Sequence, residues 1–175
     1  MIRASRARLI APSNNALFRV KFEIGFLAHH VAFVPEVARW FHAEWSHLRP
    51  GDSVEAWAES LKRSFGTGGV QSHFVAFHES SYLGSALLVR QELPQRTDLE
   101  PWLAGLFVVP NARRHGIGAA LVKRVADEAR QIGVQRLYLT TVQSAPFFER
   151  LGWQPFDRVE HRGEMILVMQ LRLTA

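Results

Sequence analysis

The sequence has no cysteine, which excludes disulfide bonds and any metal site built on thiolates. It contains only three lysines, so that 18 of its 21 basic residues are arginine. No apolar run reaches the length of about 20 residues that a membrane-spanning helix needs. The absence of cysteine is typical of proteins in a reducing compartment, and we expect a cytoplasmic protein.

Length and composition indicate one compact domain. The 175 residues are 47% hydrophobic, which is ordinary for a soluble protein with a core of normal size. Residues 1–17 are basic at the start and follow no regular pattern, so we expect a flexible N-terminal tail followed by a single domain over 18–175.

Charge and histidine spacing narrow the ligand classes. The net charge is +5, but the arginines are spread along the chain, and a nucleic-acid-binding protein usually concentrates them on one face. We therefore expect neither nucleic acid nor membrane as a partner. His42 and His47 are five residues apart, whereas a helical ligand pair is four apart, so we expect no metal site.

The first half of the chain predicts a strand, two helices and a β-hairpin. Loose alternation predicts a strand at Phe18–Leu27, and helical spacing follows Pro35 and the candidate caps Asp52 or Ser53. Residues 72–79 and 82–93 predict a hairpin with its turn at the two serines between them.

The second half alternates strands and helices. Trp102–Val109 is apolar at nearly every position, as expected for a strand covered on both faces, and an amphipathic helix over Gly116–Ile132 follows. A strand at 134–141, a short helix at 144–151 and two closing strands at 152–159 and 163–173 complete the order. The order βααβββαβαββ indicates an α/β fold with a sheet of mixed direction.

The turn between the apolar strand and the long helix is suited to an anionic ligand. A helix start leaves its first N–H groups unpaired, and glycine lets a ligand approach the backbone. The nucleoside-triphosphate loop is excluded because its lysine is missing, and the dinucleotide motif because Leu121 replaces its third glycine. What remains is R-x-x-G-x-G, formed by Arg113, Gly116 and Gly118.

Together with the later segment FFERLGW (Phe147–Trp153), this turn resembles the GNAT superfamily of N-acetyltransferases over residues 18–173. The resemblance implies a mixed, mostly antiparallel sheet of six to seven strands with a central splayed parallel pair and helices on both faces. It implies acetyl-CoA as co-substrate and transfer of the acetyl group to a primary amine of a small molecule or peptide. A homodimer is compatible with it.

The resemblance also assigns cofactor-binding residues by position. The backbone of Phe107, Val108 and Val109 would pair with the pantetheine arm, and the N–H of Val108 would stabilise the oxyanion. Arg113 would help through its side chain or by ordering the turn, and Phe148 would pack under the cofactor. The residues whose backbone amides would hold the pyrophosphate are Arg114, His115, Gly116, Ile117, Gly118 and Ala119.

The expected catalytic acid is absent, because the family's usual tyrosine corresponds to Phe148, which has no proton to donate. Thr141, Ser144 or Tyr138 are the nearest hydroxyls in sequence. We rank protonation by water, or departure of an unaided thiolate, above these three. A third interpretation is a non-catalytic module that binds or senses acyl-CoA.

The expected base is also absent, because the position that carries a glutamate in some members of the family falls on Trp102. Glu100 lies two residues earlier and could share a strand face with that position. Glu44 lies where the first helices of the family border the acceptor site. We name Glu100 and Glu44 as candidate bases and Asp98 and His42 as weaker ones.

Overall fold

The computed structural model describes residues 21–63 and 66–173, so the predicted tail at 1–17 and the first three residues of the predicted strand lie outside the described residues. The strands are β1 (Glu23–Phe26), β2 (Ser72–His78), β3 (Ser81–Val89), β4 (Trp102–Val108), β5 (Arg136–Thr141), β6 (Gln154–His161) and β7 (Glu164–Arg172). The α-helices are α1 (Val34–Trp45), α2 (Val54–Arg63), α3 (Ile117–Gln131) and α4 (Ala145–Glu149).

The strands of the described residues form one seven-stranded sheet in the order β1-β2-β3-β4-β5-β7-β6. Its neighbours are antiparallel except for β4 and β5, which run parallel at the centre. This confirms the predicted mixed sheet with one parallel pair. The first hairpin differs from the prediction at two places: its turn lies at Glu79–Ser80, one residue earlier, and its second strand ends at Val89 instead of residue 93.

Helices cover both faces of the sheet, as two neighbouring residues of β2 show. The ring of His73 stacks on Phe41 of α1, with ring centroids 5.6 Å apart. The next residue, Phe74, lies under the guanidinium of Arg124 from α3, 4.4 Å from the ring centroid. Because successive side chains of a strand point to opposite faces, α1 and α3 pack on opposite sides of the sheet.

Helix α3 follows from its sequence. Its buried stripe of Leu121, Val122, Val125 and Ala129 repeats with helical spacing and packs on the sheet. Gly133 ends the helix with φ +78°, a conformation that glycine adopts readily. The neighbouring N–H of Val134 returns to the carbonyl of Ala129 at 2.9 Å, so that chain direction reverses into β5.

Trp102 belongs to a second, smaller core beside the main one. Its indole Nε1–H donates to the carbonyl of Leu99 at 2.7 Å, and its ring lies 5.7 Å from that of Tyr138. Ile166 and Val168 of β7 complete this cluster together with Leu93. At the position where some members of the family carry a glutamate, this chain has a tryptophan that packs in a core and fixes the loop before β4.

Within the part of the chain that the structure describes, no helix combines the length and the apolar character needed to cross a membrane.

His73 is a buried titratable group in the main core. Only 1% of its surface is exposed, and neither ring nitrogen has a hydrogen-bond partner among the described residues. Burial lowers the pKa of His73 to about 3, because the charged imidazolium would lose its hydration. In the unfolded chain the pKa of a histidine is about 6.5. At a pH between the two pKa values, the unfolded chain therefore binds a proton that the folded chain does not bind. Folding stability therefore falls as the pH falls below about 6.5.

We predict that His73→Leu reduces the acid sensitivity of folding. Between pH 7.5 and pH 5.0, this histidine should cost the wild type about 2 kcal/mol of unfolding free energy that the variant does not lose. Urea denaturation at both pH values measures the difference. The matched control is His78→Leu, which removes an exposed histidine at the end of the same strand and so separates the effect of burial from that of losing any histidine. Equal pH dependence of wild type and His73→Leu would contradict the assignment.

Candidate active site

The parallel pair at the centre of the sheet separates almost as soon as it forms. Trp102 and Tyr138 are the one registered pair between β4 and β5, and the N–H of Tyr138 donates to the carbonyl of Pro101 at 3.1 Å. Beyond this pair, Leu103–Leu106 of β4 and Leu139–Thr141 of β5 line the same open space. We call the space between these two segments the gap.

A β-bulge in β4 accounts for this separation. Ser85 pairs with Phe107 and Leu87 with Ala104, so that Gly105 and Leu106 of β4 oppose a single residue of β3. Such an extra residue bends a strand and increases its twist. Gly105 has φ +54°, and a Cβ atom at this position would lie 2.4 Å from Cδ1 of Leu87. Glycine adopts this left-handed conformation readily, and any side chain here would have to displace the end of the Leu87 side chain.

The gap opens into a cavity of ≈ 660 Å³. Phe41 and Trp57 line it from the α1–α2 layer, and Phe147 and Phe148 line it from α4. Helix α4 lies beside α3, since a Cβ atom on Gly118 would be 3.5 Å from Cζ of Phe147. The cavity thus joins the two faces of the sheet through the gap, a shape that can admit two molecules from opposite sides.

The N-terminus of α3 offers unused backbone donors near the gap. Gly116 is the N-cap residue with φ +82°, and no side chain caps the helix. The first helical hydrogen bond runs from the N–H of Ala120 to the carbonyl of Gly116 at 3.0 Å. The N–H groups of Ile117, Gly118 and Ala119 therefore have no partner within the helix.

The predicted turn residues lie together, but the cavity is lined by other residues. Arg113, Arg114 and His115 are exposed at the turn, and Arg114 adopts a positive φ of 67°. Nε–H of Arg113 donates to the carbonyl of Val108 at 2.9 Å. This contact ties the turn to the end of β4.

The hydrogen bonds of β4 correct part of the predicted pantetheine contact. The N–H of Val109 donates to the carbonyl of Leu83 at 3.0 Å and is not available to a ligand. Because hydrogen-bonded and non-hydrogen-bonded pairs alternate, the backbone of Phe107 also faces β3. The backbone of Val108 faces the gap instead, and Leu106, within the bulge, lines the cavity. Of the predicted Phe107, Val108 and Val109, only Val108 keeps its backbone on the side of the gap.

Neither predicted base lines the cavity. Glu100 forms an ion pair with Arg90 at 3.1 Å and lines a separate pocket with Ile132 and Arg136, on the far side of the Trp102–Tyr138 pair from the gap. Glu44 is exposed on α1.

The weaker candidates have structural partners. Nε2 of His42 lies 3.1 Å from the backbone oxygen of Asp52, which joins α1 to the segment before α2. Asp98 pairs with Arg96 at 2.9 Å, and that contact lowers the pKa of its carboxyl group.

Sequence reasoning missed Glu92, which is the one carboxylate among the cavity-lining residues of the described chain. Its side chain is exposed to solvent at the mouth of the open cavity, yet many protein atoms lie around it. This crowding raises the pKa of Glu92 above its ordinary value, while the positive charge of Arg49 acts in the opposite direction. The sequence predicted Glu92 within the strand 82–93, but β3 ends at Val89 and Glu92 lies in the irregular loop that follows.

The hydroxyl candidates divide into two groups. Thr141 and Ser144 line the cavity, and the N–H of Ser144 donates to Oγ1 of Thr141 at 3.0 Å. Tyr138 lies in the smaller core, 5.5 Å from Phe156 between ring centroids. Phe148 packs against Trp153 at 6.1 Å and presents an apolar wall to the cavity.

Over residues 21–63 and 66–173, no group of three or more histidine, cysteine or acidic residues is arranged to hold a metal ion.

Residues 34–153 match the Acetyltransferase (GNAT) family, and the chain belongs to this family. It is 38% identical over 55 residues to an amino-acid acetyltransferase of Enterobacter sp. (strain 638), a match that spans 31% of this chain and only 12% of that relative. It is 27% identical over 112 residues to N-alpha-acetyltransferase 30 of Schizosaccharomyces pombe, covering 62% of this chain and 74% of the relative.

The fold is also shared with solved structures. An aminoglycoside 6'-N-acetyltransferase complexed with coenzyme A superposes with a TM-score of 0.71 at 13% identity, covering 87% of this chain and 98% of the other. At this identity the likeness concerns the fold. The seven-stranded mixed sheet with its separated central pair is therefore a GNAT fold.

We predict that Gly105→Ala destabilises the protein more than the same change at another glycine of positive φ. The methyl group would meet Leu87 and would also force alanine into a left-handed conformation, at a combined cost of about 2–4 kcal/mol. The matched control is Gly133→Ala, because a Cβ atom there meets nothing within 4 Å and only the cost of φ, about 1 kcal/mol, remains. Chemical denaturation measures both, and equal losses would contradict the role of the bulge.

Proposed function

We propose that this protein is an N-acetyltransferase that moves the acetyl group of acetyl-CoA directly to a primary amine. The observation that carries the proposal is the gap between β4 and β5, which opens to both faces of the sheet beside the unpaired N–H groups of α3. Family membership and the coenzyme A bound by the aminoglycoside acetyltransferase of the same fold support it.

The residues around the gap fit the parts of acetyl-CoA. Its diphosphate would bind the backbone amides at the turn, namely those of Arg114, His115, Gly116, Ile117, Gly118 and Ala119. Helix α3 has no acidic residue in its first turn, so its positive end is not neutralised. The pantetheine arm would pair with the backbone of Leu106 and Val108, as an added strand does. Phe148 would form the apolar wall beside it.

Acetyl-CoA supplies an activated acetyl group and a thiolate that can leave. The amine nitrogen forms a bond to the acetyl carbon, the C–S bond breaks, and one proton must leave the ammonium first, because the pKa of an alkyl amine is about 10. We assign this proton to Glu92, directly or through one water molecule. The N–H of Leu106 or Val108 would donate to the carbonyl oxygen as negative charge develops there.

Phe148 cannot protonate the leaving thiolate. Thr141 and Ser144 are the hydroxyls at the cavity, and the hydroxyl hydrogen of Thr141 is not used in its contact with the N–H of Ser144. Water remains our first choice of proton donor, since the open cavity admits it and a thiolate needs little assistance. The amine's second proton then leaves with the thiol or with water.

We predict that Glu92→Gln lowers kcat/KM by about 10²-fold, the lower end of what general base catalysis contributes. The rate of the wild type should rise with pH as Glu92 loses its proton. Because the pKa of Glu92 lies above its ordinary value, this rise should occur at higher pH than for a solvated glutamate. The variant should lack the rise. Measurement of kcat/KM from pH 5 to pH 9 tests both statements.

Three matched variants separate Glu92 from its competitors. Glu100→Gln and Glu44→Gln remove the carboxylates predicted from sequence, and both should keep the wild-type pH profile. His161→Asn removes another cavity-lining group that can accept a proton. If one of these variants lost the rise of kcat/KM with pH while Glu92→Gln kept it, the base would be assigned to that residue instead of Glu92.

We predict that Gly118→Leu weakens acetyl-CoA binding by at least about tenfold, because the new side chain would occupy the space beside the helix N–H groups. Gly118 has an ordinary helical conformation, so leucine should not destabilise the helix. The matched control is Gly118→Ala, whose methyl group would make an ordinary contact with Phe147 at 3.5 Å. Titration calorimetry measures both, and unchanged affinity of the leucine variant would refute the cradle.

The whole proposal is tested by incubating the protein with acetyl-CoA and a set of amines while free thiol is measured. Thiol release that depends on an amine, with the acetylated product seen by mass spectrometry, supports it. Binding of acetyl-CoA without turnover on any amine would favour the acyl-CoA-binding module that the missing tyrosine at Phe148 suggests.

A further inference from the structure

The cavity is lined by more positively than negatively charged side chains. Arg49 and Arg162 line it together with the single carboxylate of Glu92, whereas the other described lining residues are neutral or, in the case of His161, titratable. None of the turn residues from Arg113 to Ala119 lines the cavity. The two arginines therefore belong to a part of the site separate from the predicted diphosphate cradle.

Arg49 is held in place by an aromatic ring. Its guanidinium lies 4.5 Å from the ring centroid of Trp57 in α2, which also lines the cavity. The nearest carboxylate is that of Asp52, at 3.8 Å, which is beyond hydrogen-bond distance. Stacking thus orients the guanidinium, and apart from the ion pair with Asp52 no residue of the described chain accepts a hydrogen bond from its N–H donors.

Arg162 reaches the same side of the cavity from the β6–β7 turn. Its Nη1–H donates to the carbonyl of Leu48, the residue next to Arg49 in the chain. This contact uses one of the five donors of the guanidinium. Both positive groups are therefore placed at the segment between α1 and α2, facing the loop that carries Glu92.

A third segment fixes the opposite side. Nε2–H of Gln95 donates to Nδ1 of His161 at 3.1 Å and also to the carbonyl of Glu160 at 3.0 Å. The loop that carries Glu92 is thereby joined to the β6–β7 turn that carries Arg162. The carboxylate and the two guanidinium groups are held by segments that contact one another, which gives the acceptor end a fixed pattern of charge.

We propose that the acceptor is an amine that also carries a carboxylate, with its ammonium group toward Glu92 and its carboxylate toward Arg49 and Arg162. This inference rests on the proposed acetyl transfer. Two guanidinium groups attract a carboxylate by charge-assisted hydrogen bonds, and they repel an acceptor with several positive charges. Free amino acids and the N-termini of acidic peptides both present this chemistry.

The experiment compares amines in matched pairs by steady-state thiol release. An L-amino acid is paired with its carboxamide, and a short peptide with an acidic second and third residue is paired with the same peptide carrying the amides. Kanamycin serves as the polycationic amine. We expect kcat/KM to be at least about tenfold higher for the carboxylate member of one pair, which identifies the source, and lowest for kanamycin.

Variants then test which residues cause the preference. Arg49→Gln and Arg162→Gln should each raise KM for the carboxylate member, with a smaller change in kcat. Each should therefore reduce the difference in kcat/KM between the two members of the pair. Arg49→Lys, which keeps the charge, should restore part of the preference. The matched control is Arg39→Gln, which removes an exposed arginine of α1 that does not line the cavity and should keep the wild-type ratio.

The outcomes distinguish this inference from the proposed function. If no amine of any class supported thiol release, the acetyl transfer itself would be refuted. Turnover with equal kcat/KM for both members of every pair, or with kanamycin preferred, would refute the carboxylate-bearing acceptor and leave the acetyl transfer standing. A preference that survives both glutamine variants would also overturn it.

Discussion

The whole site depends on one departure from regular pairing, the bulge at Gly105 in β4. A parallel pair that stayed in register would bring β5 alongside β4 over its full length, and no space would separate them. The bulge bends β4 away after the Trp102–Tyr138 pair, and glycine at residue 105 accommodates its positive φ and its close approach to Leu87. A single backbone conformation thus converts the centre of a closed sheet into a cleft.

Because of the same bend, the two edges of β4 differ: one pairs with β3, and the other borders the gap. Toward β3, the backbone of Phe107 and Val109 continues the sheet, and the ring of Phe107 packs 5.3 Å from that of Trp40. Toward β5, Leu106 and Val108 have no strand partner, and the backbone of Val108 faces the gap. Arg113 takes the carbonyl of Val108, so the strand end and the helix turn hold each other. Pairing with β3 therefore holds β4 in place, while its other edge stays open to a ligand in the gap.

The sequence predicted those features whose signals are local, such as the strand–turn–helix around Gly116 and the amphipathic pattern of α3. It did not reveal Gly105, because a glycine inside an apolar run has the same appearance whether it is paired or bulged. The expectation that Glu100 shares a strand face with Trp102 was wrong, because alternation relates the two only within a strand and β4 begins at Trp102. Glu92 was missed because the alternating pattern extended the predicted strand to residue 93, whereas β3 ends at Val89 and the folded chain brings the following loop to the cavity.

The charges at the acceptor end also link recognition to chemistry. Crowding raises the pKa of Glu92, whereas Arg49 opposes that increase. A carboxylate bound at Arg49 would offset the positive charge that stabilises ionised Glu92, which makes Glu92 a stronger base. Proton transfer from an ammonium group, with its pKa of about 10, to a carboxylate is unfavourable, and each unit by which the difference narrows contributes about 1.4 kcal/mol. An acceptor that carries a carboxylate would therefore improve the base that activates it, whereas an acceptor without one would leave Glu92 under the influence of Arg49.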